Sequence, residues 1–171
     1  MNAHWKLVRS LQGLFAVLPL AFAPVHVAKA TDPVGVSATI IARATLPAFD
    51  VKRKIKELDH WRVELEADQP IDVVVVIFTV QPGGQGGWHT HPGPTLWTVT
   101  QGTMTIYEGD DPTCTPHVYP TGTGDVEATT NTHIHNLRNE TSSIAETVVT
   151  FLLPVGAPLR IDLPDPGYCP F

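Results

Sequence analysis

The residues best able to do chemistry are eight histidines, four of which form two His-x-His pairs. His89 and His91 flank Thr90, and His133 and His135 flank Ile134. On a strand, residues two apart point to the same face, so each pair can present two imidazoles to one interior. Neutral imidazoles arranged in that way suit a divalent transition metal such as Fe, Zn, Mn, Ni or Cu. The plainer alternative is histidines on the surface or satisfied in a core. No Ser-His-Asp or Cys-His arrangement is signalled. The glycine run at 82–87 lacks the following lysine and helix of a phosphate loop.

The elements around these residues read as short strands. Residues 36–49 suggest an edge strand ending at Pro47. Residues 50–60 are a charged segment whose cations suit a solvated face. Residues 61–66, WRVELE, alternate apolar with charged and predict a strand with one buried face. The run 73–80, VVVVIFTV, has no polar face and fits an interior strand. PGGQGG at 82–87 reads as a turn. Residues 96–100 and 103–107 read as a hairpin around Gln101-Gly102. Residues 108–124 look like loop, 133–137 like a short strand and 144–153 like a longer one. The tail from Pro154 carries five prolines, which exclude regular helix or a central strand. The sum is an all-β fold, closed or sandwiched and antiparallel, with little helix.

The stretch Gly83 to Gly102, GGQGGWHTHPGPTLWTVTQG, resembles the first motif of the cupin superfamily. Pro120-Thr121-Gly122 resembles the turn of the second motif, and His135 with Asn139 fits its histidine-to-asparagine spacing. The resemblance covers about residues 60–155. It implies an antiparallel jelly-roll barrel, with His89 and His91 as the first two metal ligands, His135 as the third and Asn139 as a turn residue. The whole is similar to a small exported single-domain cupin with a C-terminal PGxCPF tail. Two departures stand out. The position of the usual acidic ligand holds Thr95, and Glu108, the next acid along the chain, falls beyond the following turn. The interval from Gly122 to His135 is also longer than the pattern. The expectation is therefore three neutral ligands, with His133 a candidate fourth ligand, a nearby acid or base, or a rim histidine. An all-neutral set leaves a divalent ion more positive, which favours Lewis-acid chemistry, or oxygen activation with iron. Three-histidine iron sites occur among cupin-like thiol and diketone dioxygenases. Arg138 is a candidate for holding an anionic substrate or, more ordinarily, for pairing with Glu140. Tyr107 is a candidate phenol. Trp88 should face core or interface, and Trp97 either cavity or barrel packing.

The function expected is a metal-dependent enzyme acting on a small molecule, with oxygenase first and lyase or isomerase next. The alternative is a non-catalytic metal- or ligand-binding cupin.

Composition restricts the setting. The 171 residues carry 11 Lys plus Arg against 17 Asp plus Glu, a net −6, which suits one domain and disfavours nucleic acid as a partner. Lys6 and Arg9, an apolar run from 11 to 28 and Ala28-Lys29-Ala30 read as a signal peptide over 1–30, preceding a single domain over 31–171. A membrane anchor is the alternative, but Pro19, Pro24 and His26 interrupt the run. Cleavage would remove 3 of the 11 cations and none of the acids, leaving −9, with no stable membrane insertion and a secreted or periplasmic location. In an oxidising compartment, the only two cysteines, Cys114 and Cys169, would pair. A homodimer is expected from fold analogy and from the exposed edge of the N-terminal strand region.

Overall fold

The computed structural model describes residues 30–54, 61–127 and 133–171. The leader expected over 1–30 lies outside the described residues except for its last one. The described chain is all strand and connection: β1 (Val34–Leu46), β2 (Phe49–Lys54), β3 (Arg62–Ala67), β4 (Ile71–Gln85), β5 (His89–Thr90), β6 (Thr95–Gln101), β7 (Thr103–Glu108), β8 (His117–Pro120), β9 (Gly124–Glu127), β10 (His135–Arg138), β11 (Ala145–Pro154) and β12 (Ile161–Asp162). Among the described residues no helix is long and apolar enough to cross a membrane.

Ten strands make a nearly closed antiparallel jelly roll. One wall runs β1-β4-β11-β6-β9 and the other β12-β5-β10-β7-β8, with Gln85 of β4 reaching Arg138 of β10 to join them. β4 has β1 on one side and β11 on the other, the interior place its β-branched run predicts. β11 buries alternate residues (Ala145, Thr147, Val149, Phe151 and Leu153) and these meet Val74, Val76 and Val80 of β4 in the core. Trp97 and Val99 from β6, and Met104 and Ile106 from β7, complete it.

Several sequence expectations need correction. β6 and β7 do not form a hairpin: β6 pairs with β11 and β9, while β7 pairs with β10 and β8. Gly102, at φ 70°, carries the chain from one wall to the other, so close to β11 that a Cβ there would lie 2.7 Å from the Ile144 carbonyl oxygen. The glycine stretch after Gln81 is not simply a turn, because β4 continues to Gln85. Residues 108–124 are not all loop, because they include β8. β3 is a strand, but its apolar side is not buried: it pairs only with β2 among the described residues, and Val63 and Leu65 are 42% and 45% exposed. Alternation specified which residues share a face but supplied no partner for that face.

The tail closes one end. β12 pairs with β5, and Ala30 bridges to Pro164. The expected Cys114–Cys169 disulfide is formed, across 55 residues of sequence. Beside it Trp88 and Tyr107 form a second apolar cluster, with Phe171 stacked on Trp88 at 6.4 Å between ring centroids.

Candidate metal centre

The cluster is built from strand pairing. His89 on β5 and His135 on β10 are registered partners, which sets their rings 4.4 Å apart between centroids. His91 lies just beyond β5, with its ring 4.9 Å from that of His89 and 5.2 Å from that of His135. One nitrogen from each of the three falls within 4.8 Å of the others. The two-residue spacing, together with one cross-strand pair, therefore brings three imidazoles to one point.

Backbone carbonyls set the state of two rings. His89 Nδ1 donates to the Gly87 carbonyl at 2.7 Å, and His91 Nδ1 donates to the Leu159 carbonyl at 2.7 Å. A carbonyl only accepts, so the proton sits on Nδ1 and each Nε2 keeps a free lone pair. Orientation of a ligating imidazole through its other nitrogen is the support a metal site requires. His135 is buried and its Nδ1 has no hydrogen-bond partner. Burial holds the three rings neutral. It pushes His89 down to about 3 and His91 down to about 4, and it holds His135 well below the ordinary histidine value.

The sequence reading left the acidic position empty, and the structure fills it from elsewhere. Glu127 on β9 is the registered partner of Thr95 on β6. The Thr95 hydroxyl donates to Glu127 Oε2 at 2.9 Å. That oxygen lies 3.7 Å from His91 Nε2, and Oε1 lies 3.8 Å from His135 Nε2. A carboxylate from the strand paired with β6 thus stands beside the imidazoles, where the sequence reading expected only neutral groups. Burial raises the Glu127 carboxyl above the usual range, opposed by the Thr95 hydrogen bond. Nothing in linear spacing marked Glu127; only the register between β6 and β9 does.

The other sequence candidates separate. His133 stands beside the cluster, its ring 5.4 Å from that of His135 and its Nδ1 3.4 Å from Glu108 Oε2. With Glu127 and His135 it forms a second group of convergent donors. Arg138 and Tyr107 do not line the histidine cavity. Arg138 donates to Gln85 at 2.9 Å, pairs with Glu140 and lies 3.8 Å over the Phe171 ring. Tyr107 donates to Glu140 at 2.9 Å. Asn139 holds its turn, as the motif implies, by donating to the carbonyls of Val80 and Ser143 and accepting from Thr141.

The histidines and Glu127 border a cavity of about 70 Å³, room for on the order of five water-sized groups. Phe78, Val149, Phe151 and Leu137 make much of its apolar wall, and Trp97 takes the cavity side of its two alternatives. Arg160 also lines it, a residue the sequence reading missed. It arrives from the tail, donating to the Gly86 carbonyl at 2.8 Å and pairing with Asp162. Carboxylate and imidazole donors around a small, partly apolar cavity fit a divalent transition ion and leave space for one small molecule beside it.

Residues 76–151 match the family described as Cupin domain, and the nearly closed antiparallel barrel is consistent with a cupin jelly roll. Similar solved structures include a conserved protein with a double-stranded beta-helix domain from Klebsiella pneumoniae, 21% identical over 53% of this chain and 73% of that one, with a TM-score of 0.44. A recombinant oxalate oxidase in complex with glycolate is 21% identical over 52% of this chain and 45% of that one, with a TM-score of 0.44. The protein TT1209 from Thermus thermophilus is 16% identical over 63% of this chain and 86% of that one, with a TM-score of 0.40. The chain thus spans less than half of the oxalate oxidase. No curated protein matches. At these identities nothing about activity follows from the likeness.

Proposed function

We propose that this chain is a metal-dependent enzyme acting on a small molecule, with His89, His91, His135 and Glu127 as the ligands of one divalent ion. The observation that carries the reading is the donor set itself: three neutral imidazoles shielded from solvent, two of them tied by backbone carbonyls so that Nε2 is free, converging beside a largely buried carboxylate. A bound divalent ion would supply Lewis acidity and a site for a substrate oxygen or water. The chain's own residues do the rest. Thr95 orients Glu127, the apolar wall excludes water from one side, and Arg160 offers a cation at the cavity edge. Glu127 removes the ground for placing oxygenase ahead of the others, because a carboxylate offsets one unit of the ion's charge. Oxygenase, lyase and isomerase chemistry then stand level, and the identity of the native ion divides them.

Elemental analysis of protein purified without a tag tests the reading. Close to one ion per chain is expected. His89→Ala, His91→Ala and His135→Ala should each abolish stoichiometric metal, with the circular dichroism spectrum retained. Glu127→Gln should weaken binding more than tenfold, about 1.4 kcal/mol. Thr95→Val should weaken it about tenfold through loss of the orienting hydrogen bond. Full occupancy in His89→Ala would overturn the assignment. Native iron with oxygen uptake selects oxygenase, and native zinc or manganese without uptake selects lyase or isomerase. A bound ion with no turnover on any small molecule leads to the non-catalytic reading, which the disulfide-tethered tail over the cavity favours.

The basic start and apolar run of the leader, with a disulfide of the kind common in oxidising compartments, support action outside the cytoplasm. N-terminal sequencing of native protein should then begin at Thr31, and a mature protein retaining Lys6 would contradict it.

A further inference from the structure

The ribbon of β2 and β3 lies outside the barrel sheet and, among the described residues, each of its strands is hydrogen-bonded along one edge only. Its register puts Val51 opposite Leu65 and Arg53 opposite Val63, with Lys52 opposite Glu64 on the other face. The ribbon is therefore amphipathic, yet its apolar side is open: Val51 is 53% exposed and Trp61, just before β3, is 42% exposed. Two strands alone are marginal in water, and an apolar edge with unpaired backbone groups is a template for another strand.

We propose that the outer edge of β3 pairs antiparallel with β3 of a second copy of this chain, with Val63 on the two-fold axis. The charge pattern of β3 selects both the partner and the register. Centred on Val63, the pairing sets Val63 against Val63, Trp61 against Leu65 and Arg62 against Glu64 of the other copy. Over residues 61–65 every apolar residue meets an apolar one, and each charge meets its opposite, twice by symmetry. A shift of one residue would turn the apolar side of one copy to the charged side of the other. The next allowed register, centred on Glu64, would oppose two glutamates at the axis. The product is a four-stranded sheet whose two central strands share one apolar side, with Arg53 of each copy at its margin, above the size at which a sheet becomes stable.

Sedimentation velocity of the full chain at micromolar concentration tests this. A dimer is expected. Val63→Lys places two cations across the axis and should shift the protein to monomer. Arg62→Glu alone should weaken association about tenfold, because the lost pair occurs twice. The double variant with Arg62→Glu and Glu64→Arg restores both pairs and should recover the wild-type constant. Far-UV circular dichroism and the intact Cys114–Cys169 link report that each variant is folded. A monomeric wild type overturns the proposal, and means that another protein or the chain's own remaining residues cover the ribbon. A dimer indifferent to Val63→Lys, or a double variant no better than Arg62→Glu, overturns the β3 register.

Discussion

The tail after Pro154 and the β2–β3 ribbon invert what their sequences suggest. The tail has four prolines and only two residues of strand, yet it is fastened at several points. The Leu159 carbonyl orients His91, Arg160 reaches Gly86, Cys169 is buried and bonded to Cys114, and Phe171 stacks on Trp88. The ribbon has two regular six-residue strands, β3 with clean alternation, yet its apolar side faces outward. Local propensity decides backbone geometry, whereas long-range contacts decide which segment is held. The segment with the weaker local signal is the one that shapes the histidine cluster.

The largest effect expected from testing this contrast is on the disulfide. Cys169→Ser should cost about 4 kcal/mol of stability on the chain-entropy account of a loop of this length. Urea denaturation of oxidised wild type and variant measures it. A loss below about 1 kcal/mol would mean that the tail holds without its bond, and would weaken the contrast. The variant should also bind metal less tightly, because the tail carbonyl that orients His91 comes free.

A second effect is pH dependence in metal-free protein. His89 and His91 are held at about 3 and about 4 by burial, against an ordinary value near 6.5. Above that value both folded and unfolded chains are neutral at these rings, and the stability is fully present. As pH falls below about 6.5, the unfolded chain takes up protons that the folded chain refuses, so stability declines until pH passes the folded values. Thermal melts from pH 7 to pH 4 should show a falling midpoint. If the tail is what dries His91, Cys169→Ser should flatten that fall; an unchanged slope would assign the burial to the barrel alone.

The smallest effect belongs to the ribbon. Leu65→Thr on its open face should change the stability of the isolated chain by no more than about 0.5 kcal/mol, as for an exposed position. The same substitution should loosen self-association. A loss above about 1.5 kcal/mol at a concentration where the protein is monomeric would show that the face is covered within one chain.

Much of the site was legible because its information is local. His-x-His spacing states that two rings share a face, and it led to both pairs; the resemblance to the cupin motifs then picked out His89, His91 and His135. Pro120-Thr121-Gly122 forms a turn with Gly122 at φ 86°, and Asn139 braces its own loop, both local geometries that a motif can encode. The two cysteines needed only to be counted. Glu127 and Arg160 were not legible, because neither lies at a motif spacing from the histidines. Glu127 enters through the register of β9 against β6, and Arg160 through the fastening of the tail. The crossing at Gly102 was misread for the same reason: two alternating segments around Gln-Gly look alike whether they pair with each other or with strands elsewhere.

By itself, the sequence determined the strand-rich character, the interior place of the 73–80 run, the two histidine pairs and the cysteine pair, since period, β-branching and residue chemistry are properties of short stretches. Only the tertiary structure decided that β6 and β7 lie in opposite walls, that a carboxylate from a neighbouring strand stands beside the three histidines, and that a proline-rich tail supplies both a carbonyl to His91 and a cation to the cavity. Each of those depends on which distant segments share hydrogen bonds, and that choice is made by the free energy of the whole barrel rather than by any one stretch of it.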